Sequence, residues 1–170
     1  MWIGSIRLNV ETKDAPNAGT DSLVQARILR DGNELRLLNL DYPAEDDLER
    51  GAIRNYDYSG PTKLPRRNDH TPELPPGIGR NPMPYPGYGF EFSNGMNGHL
   101  KVRLQIRNDD MWIKDNVDLY VRLIRLRATS FDTVDWLEDP DWTYIASWSQ
   151  DVAMSTDSRE GLTTWTLNLN

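Results

Sequence analysis

Residues 10–22 read VETKDAPNAGTDS. Before them Ile6, Leu8 and Val10 alternate with Arg7, Asn9 and Glu11, and after them Val24, Ala26 and Ile28 keep the same step. A period of two marks a strand with one buried face, so the stretch is a loop joining two strands. Pro16, Asn17, Gly19 and Asp21 are turn formers for different reasons. Proline presets φ, asparagine and glycine tolerate left-handed backbone, and aspartate bonds nearby amides. The phrase holds no nucleophile beside a base. Why such a connection should end on Ala18-Gly19-Thr20-Asp21 is the question the rest of the chain has to answer.

The same step recurs. Leu100, Val102, Leu104 and Ile106 alternate with Lys101, Arg103, Gln105 and Arg107. Val117, Leu119, Val121 and Leu123 follow suit, after which Ile124 and Leu126 take the other face, which predicts a bulge. Leu35, Leu37, Leu38 and Leu40 form the return strand of a hairpin turning at Asp31-Gly32, and Trp165, Leu167 and Leu169 supply a last strand. Strands with one wet face predict an all-β fold, an antiparallel β-sandwich. The one short helix expected spans Ala44 to Gly51, acidic at its start and closed by glycine. Within it Glu49 and Arg50 would form an ion pair.

At 170 residues the chain is expected to be a single domain, 1–170, large enough to bury about two thirds of its unfolded surface. Residues 60–98 hold eight of the eleven prolines and seven of the twelve glycines, which excludes helix and central strand there. Tyr85, Tyr88, Phe90 and Phe92 add apolar surface, so this is a long Pro/Gly-rich loop insertion, either laid over the sandwich or a tether. Residues 138–170, with Trp142, Trp148 and Trp165, form an extra C-terminal segment that would add strands or clasp the insertion.

Charge and composition exclude several classes. With 19 basic against 26 acidic residues the formal charge is -7, so nucleic acid is not an expected partner. The absence of cysteine rules out disulfides and thiolate metal sites. His70 and His99 are the only histidines, too isolated in sequence for a zinc pair or a triad. The opening Met1-Trp2-Ile3-Gly4 runs into a strand pattern without a signal-peptide profile. No stretch reaches the ~18 apolar residues of a membrane span. A soluble cytoplasmic protein, peripheral at most to a membrane, is the expectation.

Against this background VETKDAPNAGTDS resembles the first inter-strand loop of the PLAT domain, found in lipoxygenases, polycystins and a bacterial phospholipase toxin. That loop usually reads Val-x-Thr-Gly-Asp-x-x-Gly-Ala-Gly-Thr-Asp. Val10, Thr12, Asp14, Ala18, Gly19, Thr20 and Asp21 match without a gap, while Lys13 and Asn17 stand where the family often has glycine. LERGAIRNY, Leu48 to Tyr56, is similar to the family's Phe-Glu-Arg-Gly-x-x-Asp-x-Phe, with Arg54 in place of the acid. NDDMWIKDNVDLYV, Asn108 to Val121, is similar to its His-Asp-Asn loop with the following tryptophan and strand, and Trp136-Leu137 echo its closing Trp-Leu. The resemblance covers Ile6 to Leu137, interrupted by the insertion, and implies a PLAT-like sandwich.

Calcium takes six to eight oxygen ligands, and a sandwich gathers alternate loops at one end. Asp14, Asn17 and Asp21 in the first loop, Asp46 and Asp47 in the acidic turn, and Asn108, Asp109 and Asp110 in the third are the candidate ligands. Loops of these kinds ligate calcium in some PLAT members. The same residue types also suit plain turns, since Asp and Asn bond nearby amides without a metal. Met111 and Trp112 would be a membrane or partner contact at a loop tip, although a tryptophan there also suits packing at the start of the next strand. Trp136, Trp142 and Trp148 suit either a core or a sugar-stacking platform. Arg103 and Arg107, with Arg122, Arg125 and Arg127, lie at outward strand positions, as solubilising charges or a phosphate patch.

No nucleophile elbow, phosphate loop or metal-binding histidine pair is present, so the expected function is binding, not catalysis. The resemblance implies a docking module for membrane lipid or a protein partner, calcium-assisted. The alternatives are a structural subunit of a protein assembly and a carbohydrate-binding sandwich.

Overall fold

The computed structural model describes residues 2–40, 48–59, 100–108, 110–130 and 133–169. Ten strands occur among them. They are β1 (Trp2–Thr12), β2 (Val24–Arg30), β3 (Asn33–Asn39), β4 (Ile53–Ser59), β5 (Leu100–Ile106), β6 (Trp112–Ser130), β7 (Thr133–Glu138), β8 (Thr143–Trp148), β9 (Val152–Met154) and β10 (Thr164–Asn168). A six-stranded sheet runs β4-β1-β6-β7, with β8 and β9 also paired to β6. A four-stranded sheet runs β10-β5-β2-β3. The fold is all-β, two antiparallel sheets in a sandwich.

The described residues divide into two compact units, one of 2–6, 57–59, 120–130 and 133–144, the other of 7–40, 48–56, 100–108, 110–119 and 145–169. In the second unit the period-two pattern places its apolar residues inside. Leu8 and Val10 of β1 and Val117 and Leu119 of β6 are buried in one sheet; Ala26, Ile28, Val102, Leu104 and Ile106 are buried in the other. In the first unit Ile3, Ile6, Val121, Leu123 and Ile124 are buried, and Ser5 Oγ donates to Glu138 Oε1 at 2.5 Å.

The hairpin expected at Asp31-Gly32 is present. Both residues have positive φ, 49° and 82°, as a two-residue turn matched to strand twist requires. β2 and β3 pair antiparallel from Gln25↔Asn39 to Arg30↔Asn33, with a register shift between Ile28 and Leu29. The change of face after Leu123 is also seen, because Leu123 and Ile124 are buried in succession. The register shift against β7 falls later, between Ala128 and Ser130.

The helix expected over Ala44 to Gly51 does not extend into the described part of that stretch. Residues 48–51 form a turn, with Ala52 N donating to Glu49 O at 2.9 Å and Gly51 at φ 69°. Its first residues, with Asp46 and Asp47, lie outside the described residues, as do residues 60–98, His70, His99 and Asp109. The C-terminal segment does add strands. β10 pairs with β5 from Thr164↔Gln105 to Asn168↔Lys101, and β9 pairs with β6 from Trp112↔Met154 to Lys114↔Val152.

Candidate functional site

Three connections meet at one end of the second unit: the first loop, the turn before β4, and the segment before β6. Backbone bonds join them. Lys13 N donates to Ile113 O and Ile113 N to Ala18 O, both at 2.9 Å, so the first loop lies beside the start of β6. On its other side Thr12 N donates to Ala52 O at 2.9 Å and Thr20 N to Leu48 O at 3.2 Å. Ala18 is fully buried between these partners.

This arrangement explains the Ala-Gly-Thr-Asp phrase. A Cβ on Gly19 would sit 2.8 Å from Arg50 N and 3.0 Å from Glu49 Cα, so only glycine lets the loop lie on the turn. Thr20 Oγ1 then accepts from Ser22 N at 3.0 Å and closes the loop's exit. Asn17, at φ 60°, occupies the left-handed conformation that asparagine tolerates.

The acids divide by what they already bind. Asp14 Oδ1 is 2.7 Å from Arg50 Nε, so Arg50 pairs with Asp14 and not with its neighbour Glu49 as the sequence suggested. Asp21 N donates to Asp110 Oδ2 at 3.1 Å, Met111 N donates to Asp110 Oδ1 at 2.9 Å, and Asp110 N donates to Ser22 Oγ at 3.3 Å. The first and third loops are thus clamped through Asp110. Asp21 itself is exposed. Asp14, Asn17, Asp21 and Asp110 therefore do share one end of the unit, but no group of three acids or histidines close enough for a metal occurs among the described residues.

Trp112 is not a loop tip. It is fully buried, with its indole Nε1 donating to Thr12 Oγ1 at 3.0 Å, so of the proposed contact pair only the half-buried Met111 reaches the surface. Burial of the largest apolar side chain with its one polar atom satisfied is the stable outcome. Trp142 and Trp148 are half-buried. Arg122 stacks 4.5 Å over the Trp142 ring, and Trp148 Nε1 donates to Asn168 O at 2.9 Å.

Two features were not singled out in the sequence. Lys13 pairs with Asp151 at the entry to β9. Lys114 is fully buried, its Nζ donating to Asp115 O at 2.9 Å and Trp148 O at 2.7 Å, 4.8 Å over the Trp165 ring. Desolvation by burial lowers its pKa from 10.5 to about 8, partly offset by Asp115. The available signal was its spacing, two residues after Trp112 on the same strand face.

No family model matches this chain, and neither does any curated protein. Solved structures do. An alpha toxin from Clostridium absonum is 16% identical with a TM-score of 0.47, over 98% of this chain and 31% of the toxin's. A LOX in complex with arachidonate is 16% identical with a TM-score of 0.45, over 98% of this chain and 16% of its own. The coral 8R-lipoxygenase, whose structure is described as revealing calcium activation via a C2-like domain, is 17% identical with a TM-score of 0.43, over 89% and 16%. The chain spans about a third of the toxin's length and about a sixth of the lipoxygenases'. All three TM-scores lie below 0.5, so these likenesses carry no argument on family, binding or activity.

Proposed function

We propose that this chain is a non-enzymatic docking module that presents its loop end to a membrane surface, with calcium as the bridging ion. The carrying observation is the clamping of two acid-bearing loops through Asp110, which holds the exposed Asp21 beside a second carboxylate. A chain of charge -7 is repelled by anionic lipid, and a bound divalent cation would reverse the local sign at this end. Met111, beside Asp110, would be the apolar contact.

The test is co-sedimentation with phosphatidylserine vesicles, with calcium or with a chelator. The reading expects binding in calcium only, reduced by Asp21→Asn and by Met111→Asp. Equal binding in both conditions contradicts it.

One observation favours a second reading. Asp14 is neutralised by Arg50, and both oxygens of Asp110 already accept amide hydrogens, as turns need without any metal. If calcium does not bind, the module is a protein–protein assembly subunit.

A further inference from the structure

We propose that the outer face of the four-stranded sheet binds a linear sulfated polysaccharide. Val102, Leu104 and Ile106 of β5 are fully buried, so Lys101, Arg103 and Gln105 point to the opposite, outer face, with Arg107 just beyond the strand. Arg27 of β2 stands directly opposite Arg103 in the antiparallel register. Like charges directly opposite on neighbouring strands are destabilising, and in a chain with a net charge of -7 a cationic cluster is not needed for solubility.

Among the described residues one acid offsets part of this face. Glu34 pairs with Arg27, and it is the one described carboxylate that engages the cluster. Arg103 is exposed and Lys101 half-buried, neither with a carboxylate partner among the described residues. Arg107 Nε donates to the amide oxygen of Gln25 at 3.0 Å.

Uncharged hydrogen-bonding groups are interleaved with the cations. The register lines up Asn39, Gln25, Gln105 and Thr164 across the four strands, and in the next outward row Leu37, Arg27, Arg103 and Thr166. Strands lie about 4.8 Å apart and successive outward rows about 7 Å, so one amide row lies beside one guanidinium row. Arg27 Nε ties the two by donating to Gln105 Oε1 at 3.4 Å, and the row beyond holds Lys101, Leu29 and Glu34. A polymer that carries acidic groups between hydroxyl-bearing rings matches that pairing of rows. Single-stranded nucleic acid would want aromatic side chains for base stacking, and these two rows hold none. A bilayer would want an apolar rim, and these rows offer only the partly exposed Leu37.

The experiment is heparin-matrix chromatography of the whole chain in chelator at neutral pH, which makes it independent of the calcium reading. The parent should be retained, with affinity falling as salt rises. The Lys101→Gln/Arg103→Gln variant should bind at least about tenfold more weakly, whereas Arg159→Gln, on the exposed Asp157–Arg159 pair, should elute with the parent. Without polysaccharide, Arg103→Gln should melt above the parent, since a like-charge pair is relieved; soluble heparin should raise the parent's melting temperature but not the double variant's. Passage of the parent straight through, or equal retention of the double variant, overturns the proposal. So does equal displacement by poly-glutamate, which would indicate a generic polyanion site. Chelator-insensitive binding to phosphatidylserine vesicles that the same substitutions abolish would overturn it in favour of lipid.

Discussion

The Trp112 indole Nε1 donates to Thr12 Oγ1 at 3.0 Å, with both residues buried. Thr12 Oγ1 in turn donates to Leu48 O at 3.4 Å. One hydroxyl therefore connects the end of β1, the start of β6 and the turn before β4. Replacing Thr12 by valine keeps the shape and leaves the indole N–H unsatisfied in the interior, at a cost of about 1–3 kcal/mol. Thermal unfolding should fall by about 2–4 °C per kcal/mol, and Thr12→Ser should recover most of it. A valine variant as stable as the parent would contradict the role given to this bond.

Gly19→Ala should destabilise the domain by about 1–3 kcal/mol, because the added methyl meets the backbone of Glu49 and Arg50 and not a movable side chain. Gly32→Ala provides the contrast. It has open space around it, but its φ of 82° should cost about 1–2 kcal/mol by conformation alone. Denaturant midpoints measure both. If Gly19→Ala proves neutral, the first loop does not rest on the turn.

Lys114 predicts a pH dependence of definite sign. Its folded pKa, about 8, lies below the ordinary 10.5, so the folded state loses the proton first. Between these values the unfolded chain binds more protons, and stability rises with pH. Below pH ~8 both states are charged and the burial cost is fully present. The stability of the parent relative to Lys114→Met should therefore rise by up to about 3 kcal/mol from pH ~8 to ~10.5. Denaturant unfolding at several pH values measures it, and a pH-independent difference would contradict the assignment.

The sandwich was legible because its strands are wet on one side. Val102, Leu104 and Ile106 announce their buried face by alternation, and Asp31-Gly32 announces the hairpin by its need for positive φ. The loop end was legible only in part. That the first and third loops converge followed from fold class, but the partner of Asp14 did not, since Arg50 is distant in sequence and the nearer Glu49 invited the wrong pairing. Residues 48–51 carried helix-like signals and became a turn, because Leu48 O serves Thr20 N and Gly51 takes a left-handed conformation. Lys114 escaped notice because its burial is a tertiary fact. Two backbone carbonyls and an indole face, all from the C-terminal strands or its own neighbour, accommodate the ammonium.

The central claim is that the loop end takes a divalent cation, and calorimetric melting of the whole chain in chelator and in millimolar calcium tests it most directly. A ligand that only the native state binds raises the melting temperature by mass action. The parent should melt several degrees higher in calcium. Asp21→Asn should lose most of that rise while melting like the parent in chelator, because Asp21's amide, not its carboxylate, makes the bond to Asp110. An unchanged parent melting temperature in calcium would contradict the claim, leaving Ala18-Gly19-Thr20-Asp21 as turn chemistry.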